Sequence, residues 1–328
     1  MSLDDFAVLE RIPGGICSNL LRAVRLLDGR HAVLKCYEIN TTPPGIFGNA
    51  PSECSEPYLK EAHFLQRIQN VPGCVKILDY FHDKSHDQYV IVLEDLHSLG
   101  FECLNVALAS NDKFLTESNV SWILRETINT LQQIHEFNIL HCDIKPDNIF
   151  IHRQEKRIKL LDFNIATEIV PKMLEVPRAK SIRCTPDYAP PEVLIQQRPW
   201  TTAGEVWSLG VTAFVLLCKK FPFRDPFMSY RAQPDYPQDS NFRVERDINP
   251  RSHYTNGVVD KLKAPPIRLS LRAREFLMCC LHKIPKCRPS LQSLSMHPFL
   301  SAESSMCPSF ITNSLSFDNI VGISTKFS

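Results

Sequence analysis

The sequence carries almost no net charge: 37 Lys and Arg stand against 36 Asp and Glu in 328 residues, leaving +1. A balance that close excludes a protein held to nucleic acid or anionic membrane mainly by bulk charge. Long apolar runs are missing too. A membrane-spanning helix needs about 20 largely apolar residues, and the longest candidate, Val211 to Cys218, is short and interrupted by Thr212. The opening MSLDDFAVLE is acidic where a secretory signal is basic and then apolar, position 2 is Ser where N-myristoylation requires Gly, and the closing KFS is no prenylation box. The chain is therefore expected in the cytoplasm, with access to the nucleus left open. Paired Cys-x-x-Cys spacing is also absent. Cys279-Cys280 has no second pair, which argues against zinc, and the scatter of Cys17, Cys36, Cys54 and Cys74 among 12 cysteines reads as reduced buried thiols rather than a disulfide framework. No internal repeat is visible.

What is present is ordinary globular material: 44% hydrophobic and 22% charged residues, too apolar for a disordered chain. The length suggests two lobes of roughly 100–200 residues. Residues 6–37 alternate apolar and polar positions, with turn punctuation at Gly14-Gly15 and Asp28-Gly29, and read as strands joined by hairpins. Residues 40–57, rich in Pro and Gly, read as a loop, and a helical spacing of Leu59, Ala62, Leu65 and Ile68 begins from Tyr58. Val75 to Leu96 returns to strands. Beyond Leu96, helical spacing dominates over Val120–Phe137, Glu205–Cys218 and Ser270–Leu281. A strand-rich first third before a helix-rich remainder predicts an α+β chain of two lobes, 1–96 and 97–300, rather than a doubly wound sheet. Residues 225–268 read as an irregular insertion and 301–328 as a mobile Ser/Thr-rich tail.

The strongest chemical signal is His141-Cys-Asp-Ile-Lys-Pro-Asp-Asn148, followed by Lys159-Leu-Leu-Asp-Phe-Asn164. Asp143, Lys145, Asn148 and Asp162 supply two carboxylates, an ammonium and an amide. The apolar pieces Ile149–Ile151 and Ile158–Leu161 beside them predict a hairpin that would converge the four groups at one end. Phosphoryl transfer needs such a set: a carboxylate to orient the hydroxyl, a cation on the moving phosphate and oxygen ligands for Mg²⁺. These segments resemble the catalytic loop HRDxKPxN and the DFG turn of the eukaryotic protein kinases. Further resemblances follow in the family's order: Ala32-Val-Leu-Lys35 to the VAIK strand, Glu61 to the helix C glutamate, Cys184–Glu192 to the end of an activation segment, Glu205–Gly210 to the DxWSxG helix, and Arg288 to the late arginine that pairs with Glu192. Together they cover about residues 6–300.

The resemblance implies the bilobal protein-kinase fold, ATP and Mg²⁺, and protein substrates. It implies Asp143 on the substrate hydroxyl, Lys145 on the γ-phosphate, Asn148 and Asp162 on Mg²⁺, and Lys35 with Glu61 on the α/β-phosphates. Around the nucleotide it places Ile12, Gly15 and Leu20 in the lid, Val33 and Phe150 against adenine, and Glu94 and Leu96 in the hinge. Lys145 and Thr185 look like the Ser/Thr class, and Pro190-Pro-Glu192 with the hinge looks like the Pim-type branch of the calmodulin-dependent group. Asp147, with Glu102 as a second carboxylate, suggests substrates with a basic residue upstream of the acceptor. His141, Leu65 and Phe163 read as core that positions the loop, and Tyr188, Trp207 and Arg288 as scaffold.

Several positions depart from the family pattern. In Ile12–Leu20 only Gly15 matches a required glycine. Pro13 stands for the first and Ser18 for the third, so the loop offers phosphate fewer N–H groups. Val33 and Phe150 are larger than the usual Ala and Leu and narrow the adenine slot. Asn164 replaces the DFG glycine, and its tolerance of positive φ is expected to keep Asp162 aimed with a stiffer turn. Cys142 replaces the arginine that would meet an activation-loop phosphate, which argues against switching by phosphate at Ser181 or a neighbour. Glu205 replaces the usual Asp. Two readings follow: a protein Ser/Thr kinase, favoured by the six retained polar groups, and a scaffold that keeps the fold without turnover, favoured by the altered glycine loop.

Overall fold

The computed structural model describes residues 1–13, 18–48, 58–110, 113–169, 183–237 and 269–301. Gly15, Cys17, Ser181, the greater part of 225–268 and the tail from 302 onward lie outside them.

The first third is an antiparallel sheet. Strands β1 (Phe6–Ile12), β2 (Asn19–Arg25) and β3 (His31–Glu38) form consecutive hairpins, and after the short pair β4 (Phe47–Gly48) and β5 (Tyr58–Leu59) comes helix α1 (Lys60–Arg67). Strands β6 (Ile77–Asp83) and β7 (Gln88–Glu94) complete the sheet in the order β1-β2-β3-β7-β6. Because side chains alternate across a strand, β3 serves two cores. Ala32, Leu34 and Cys36 join Phe6, Ala23, Val90 and Val92 in a small outer cluster, whereas Val33, Lys35 and Tyr37 face the large core. Across that inner face Ile12 pairs with Leu20, Leu20 with Lys35, and Lys35 with Ile91. Helix α1 begins two residues later than its apolar spacing predicts. Tyr58 and Leu59 are held extended by pairing with Gly48 and Phe47, and a Cβ on Gly48 would meet the Tyr58 ring.

The remainder is mainly helical: β8 (Glu102–Cys103), α2 (Leu104–Ala109), α3 (Glu117–Glu136), β9 (Ile139–Leu140), the hairpin β10 (Ile149–His152) with β11 (Arg157–Leu160), β12 (Thr167–Glu168), α4 (Pro191–Leu194), α5 (Thr202–Cys218), α6 (Leu271–Cys280) and α7 (Leu291–Ser295). Helix α3 is N-capped by the Thr116 side chain on the Asn119 amide, and Val120, Ile123, Leu124, Ile128, Leu131 and Ile134 give it one buried stripe. Helix α5 is buried on every side from Gly204 to Cys218, so it forms the centre of this part. Each large apolar side chain so buried contributes about 1.5–3 kcal/mol. Gly210 lets α6 approach, since a Cβ there would lie 2.5 Å from the Cβ of Cys280. Among the described residues no helix is long and apolar enough to cross a membrane.

Candidate active site

Two polar clusters face each other where the sheet meets the helical part. The upper one is built on β3 and α1. Lys35 Nζ lies 2.9 Å from Glu61 Oε1 and 2.8 Å from Asp162 Oδ1, joining the sheet, the helix and the Asp162–Asn164 turn. Glu61, 1% exposed, also accepts hydrogen bonds from the Tyr37 hydroxyl at 2.6 Å and from the Phe163 amide at 3.3 Å. Burial pushes the Lys35 ammonium down, but the facing carboxylates of Asp162 and Glu61 outweigh this and hold it well above the usual lysine range. Burial pushes the Asp162 carboxyl up, and Lys35, by charge and hydrogen bond, more than reverses this and holds it below the usual carboxylate range.

The lower cluster sits at the open end of the β10–β11 hairpin. Ile149 pairs with Leu160, and Leu161 N–H donates to the Asn148 carbonyl, so Asn148 and Asp162 emerge side by side as the apolar pieces predict. Asp143 Oδ2 accepts from Asn148 Nδ2 at 2.8 Å and lies 2.6 Å from Lys145 Nζ. Thr185 closes the triangle, donating to Asp143 Oδ1 at 2.6 Å and accepting from Lys145 Nζ at 2.8 Å. The loop is anchored from below. Glu205, fully buried, accepts the backbone amides of His141 at 2.5 Å and Cys142 at 3.0 Å through one oxygen and meets His135 Nε2 at 2.5 Å with the other. Its extra methylene relative to Asp is thus accommodated. His141 packs on Phe163 with ring centroids 4.5 Å apart, both fully buried, which joins the loop to the turn.

One expectation about the backbone needs correction. The left-handed residue of the turn is Asp162, at φ 64°, and Asn164 is not left-handed, so replacing glycine by asparagine costs no strain at that position. A second left-handed residue, Cys142 at φ 66°, lies in the catalytic-loop segment. Its thiol is 1% exposed and burial holds it well above the usual range, while the Cys184 thiol is pushed up to about 11 by burial. Neither is a ready thiolate.

The remaining sequence-nominated residues divide. Ile12 and Leu20 are partly buried opposite one another, and Val33 and Phe150 are partly buried against the large core from the two sides. Leu96 is buried, and its carbonyl takes the Leu99 and Phe101 amides. Glu94 turns its carboxylate away. It accepts from Lys159 Nζ at 2.7 Å and from the Lys76 amide at 3.0 Å, so only its main chain is left to offer a nucleotide. Glu102 is bound by Arg153, so it is not the second open carboxylate beside Asp147; Asp147 is exposed and accepts from Asn105 Nδ2 at 2.8 Å. Arg288 forks onto Glu192 at 2.6 and 2.9 Å, fixing the segment that ends in Pro191 to the helical core, and its guanidinium stacks 4.9 Å from the Trp207 ring.

The donors suit a small hard cation shared with phosphate oxygens. Asn148 faces two acceptors, the main-chain oxygen and Oδ2 of Asp143, so that side of its amide is NH₂ and its oxygen is the atom left to bind a metal. Lys35 engages Oδ1 of Asp162, leaving Oδ2 as the second protein oxygen. Sequence reasoning missed Tyr37. Its signal was its place two residues after Lys35, on the same face of a strand. Lys159, which takes Glu94 and the Cys74 carbonyl, was also missed.

Comparison with known proteins agrees with this geometry. A protein kinase domain model matches residues 6–300. The Aurora kinase of Yarrowia lipolytica is 29% identical over 226 residues, which are 69% of this chain and 55% of that protein. Sperm motility kinase 2B of Mus musculus is 24% identical over 306 residues, 92% of this chain and 53% of that protein. Serine/threonine-protein kinase D2 of Rattus norvegicus is 28% identical over 217 residues, 64% of this chain and 22% of that protein. The chain thus spans about half, or less, of the length of these relatives.

Proposed function

The chain belongs to the protein kinase domain family, and from that premise we propose that it transfers the γ-phosphate of ATP to serine or threonine of protein substrates. The observation that carries this reading is the triangle of Asp143, Lys145 and Thr185 facing a Lys35 joined to both Glu61 and Asp162. Asp143 orients the acceptor hydroxyl and takes its proton as the oxygen bonds to phosphorus and ADP departs. Lys145 balances charge on the moving phosphoryl group, and Lys35, fixed by Glu61, holds the α/β-phosphates. Asn148 and Asp162 would hold Mg²⁺, which supplies charge neutralisation on the phosphate oxygens. A scaffold has no physical use for these six groups in this arrangement, so the second reading gains nothing from the site.

The finer proposal is a preference for a basic residue upstream of the acceptor. It rests on Asp147 alone, since Glu102 is spent on Arg153. Radiolabelled ATP with a positional peptide array tests both levels. Transfer lost in Asp143→Asn supports the kinase reading, no transfer by the unaltered chain ends it, and equal labelling with and without upstream Arg removes the basic preference.

A further inference from the structure

We propose that Tyr37 is a positioning residue that, with Asn164, clasps Glu61 and the Asp162–Asn164 turn together, so that the asparagine replacing the usual glycine is one half of a working pair. This deepens the kinase reading and rests on it for its kinetic consequence.

The argument starts from proton counting. The Tyr37 oxygen lies 2.6 Å from Glu61 Oε2 and 2.6 Å from the Asn164 amide, at the atom assigned as Oδ1. A phenol has one proton and cannot donate to both. Glu61, ionised opposite Lys35, can only accept, so the phenol proton goes to Glu61. The Asn164 amide must then present its NH₂ to the phenol oxygen, an orientation that differs from its mirror assignment only by an amide flip. The chain runs from Asn164 Nδ2–H to the Tyr37 oxygen and from Tyr37 O–H to Glu61. Glycine has nothing to offer this chain, and phenylalanine at 37 would break it twice. Tyr37 is fully buried, with Lys35 Nζ 5.8 Å from its ring centre; its contact with Glu61 lies in the low-dielectric interior where such links are strong, and its contact with the half-buried Asn164 lies at the edge of that interior. The clasp ties β3, α1 and the turn, which are the elements that carry Lys35, Glu61 and Asp162.

The test uses the full chain and the variants Tyr37→Phe, Asn164→Gly, their double, and Asn164→Asp, read by hydrogen–deuterium exchange over α1 and by steady-state kinetics in ATP. Loss of one or two such hydrogen bonds in Tyr37→Phe speeds α1 exchange about fivefold and lowers kcat about fivefold, with the ATP KM within about twofold because Asp162 still holds Lys35 in the phosphate site. Asn164→Gly moves both readouts the same way by less, and adds nothing on top of Tyr37→Phe. Asn164→Asp keeps the shape but can only accept. It draws the phenol proton away from Glu61 and sets a second carboxylate beside it, so it is worse than Asn164→Gly. A merely space-filling asparagine gives the opposite order. The proposal is overturned if Tyr37→Phe leaves exchange and kcat unchanged, if Asp is tolerated better than Gly, or if the two changes act independently. Exchange over α1 needs no turnover. A chain that transfers no phosphate therefore ends the kinase reading while exchange still decides the clasp, and the Asn164 comparison decides it should Tyr37→Phe fail to fold.

Discussion

Asp143 is held on three sides, by Asn148, Lys145 and Thr185, which fixes its carboxylate before any substrate arrives. Asp143→Asn keeps the volume and removes the base, so kcat should fall about 10²–10⁴-fold while Mg-ATP still raises the melting temperature; equal loss of both would mean a folding defect. The thiols permit a second residue-scale prediction. Cys287 is exposed, whereas Cys142 is almost inaccessible and burial holds its thiol well above the usual range. Iodoacetamide near neutral pH should therefore modify Cys287 well before Cys142, as peptide mass spectrometry would show; early labelling of Cys142 would mean that the loop opens. At this scale the sequence was informative where one residue type has one chemical use. Lys35, Glu61, Asp143, Lys145, Asn148 and Asp162 were all legible in it, and the structure brings them together. The direction of a side chain was not. Glu94 was nominated for its place in the hinge and Glu102 for its charge, and the carboxylates of both turn to basic partners, Lys159 and Arg153, that no spacing rule connects to them.

Between elements, periodicity fared well when the element was long. Helix α3, with one apolar stripe and a threonine cap, and the β1–β2–β3 hairpins follow the pattern within a few residues. Short elements escaped it: β4 and β5 are two residues each and exist because a distant partner pairs with them, which no local window contains. The seam between α5 and α6 shows the same dependence on distant partners, since nothing local marks Gly210 as the point of closest approach. A methyl there would lie 2.5 Å from the Cys280 Cβ and 3.1 Å from Leu281 Cδ2. Gly210→Ala should therefore destabilise the chain by about 1–3 kcal/mol through overpacking, despite alanine's better helix propensity. Adding Cys280→Gly removes the atom that is struck, so the double variant should lose less than the sum of the two single losses in denaturant unfolding. Strict additivity would show that the helices simply shift apart.

Across the whole molecule, charged side chains tie the sheet to the helical part: Lys35 to Asp162, Lys159 to Glu94, and Arg67 to Glu168 at 2.5 Å. That makes the connection sensitive to acid in a way the apolar cores are not. The sign follows from the Asp162 carboxyl, whose folded-state value is held below the usual range because Lys35 outweighs the effect of burial. A depressed carboxylate stabilises the fold above its ordinary titration range, and that contribution is lost as pH falls through the folded value. Lys35, raised well above the usual lysine range, contributes fully below the ordinary lysine value and is lost only as pH rises through its own, so no loss is expected from it between neutrality and acid. Asp162→Asn is neutral at every pH and nearly isosteric with the protonated acid. The melting temperature of the unaltered chain should exceed that of Asp162→Asn near neutral pH, and the gap should close as the pair is taken from neutrality toward about pH 3. Taking the difference cancels the carboxylates remote from Lys35. A gap that stays constant over that range would show that the Lys35–Asp162 contact does not hold the two parts together.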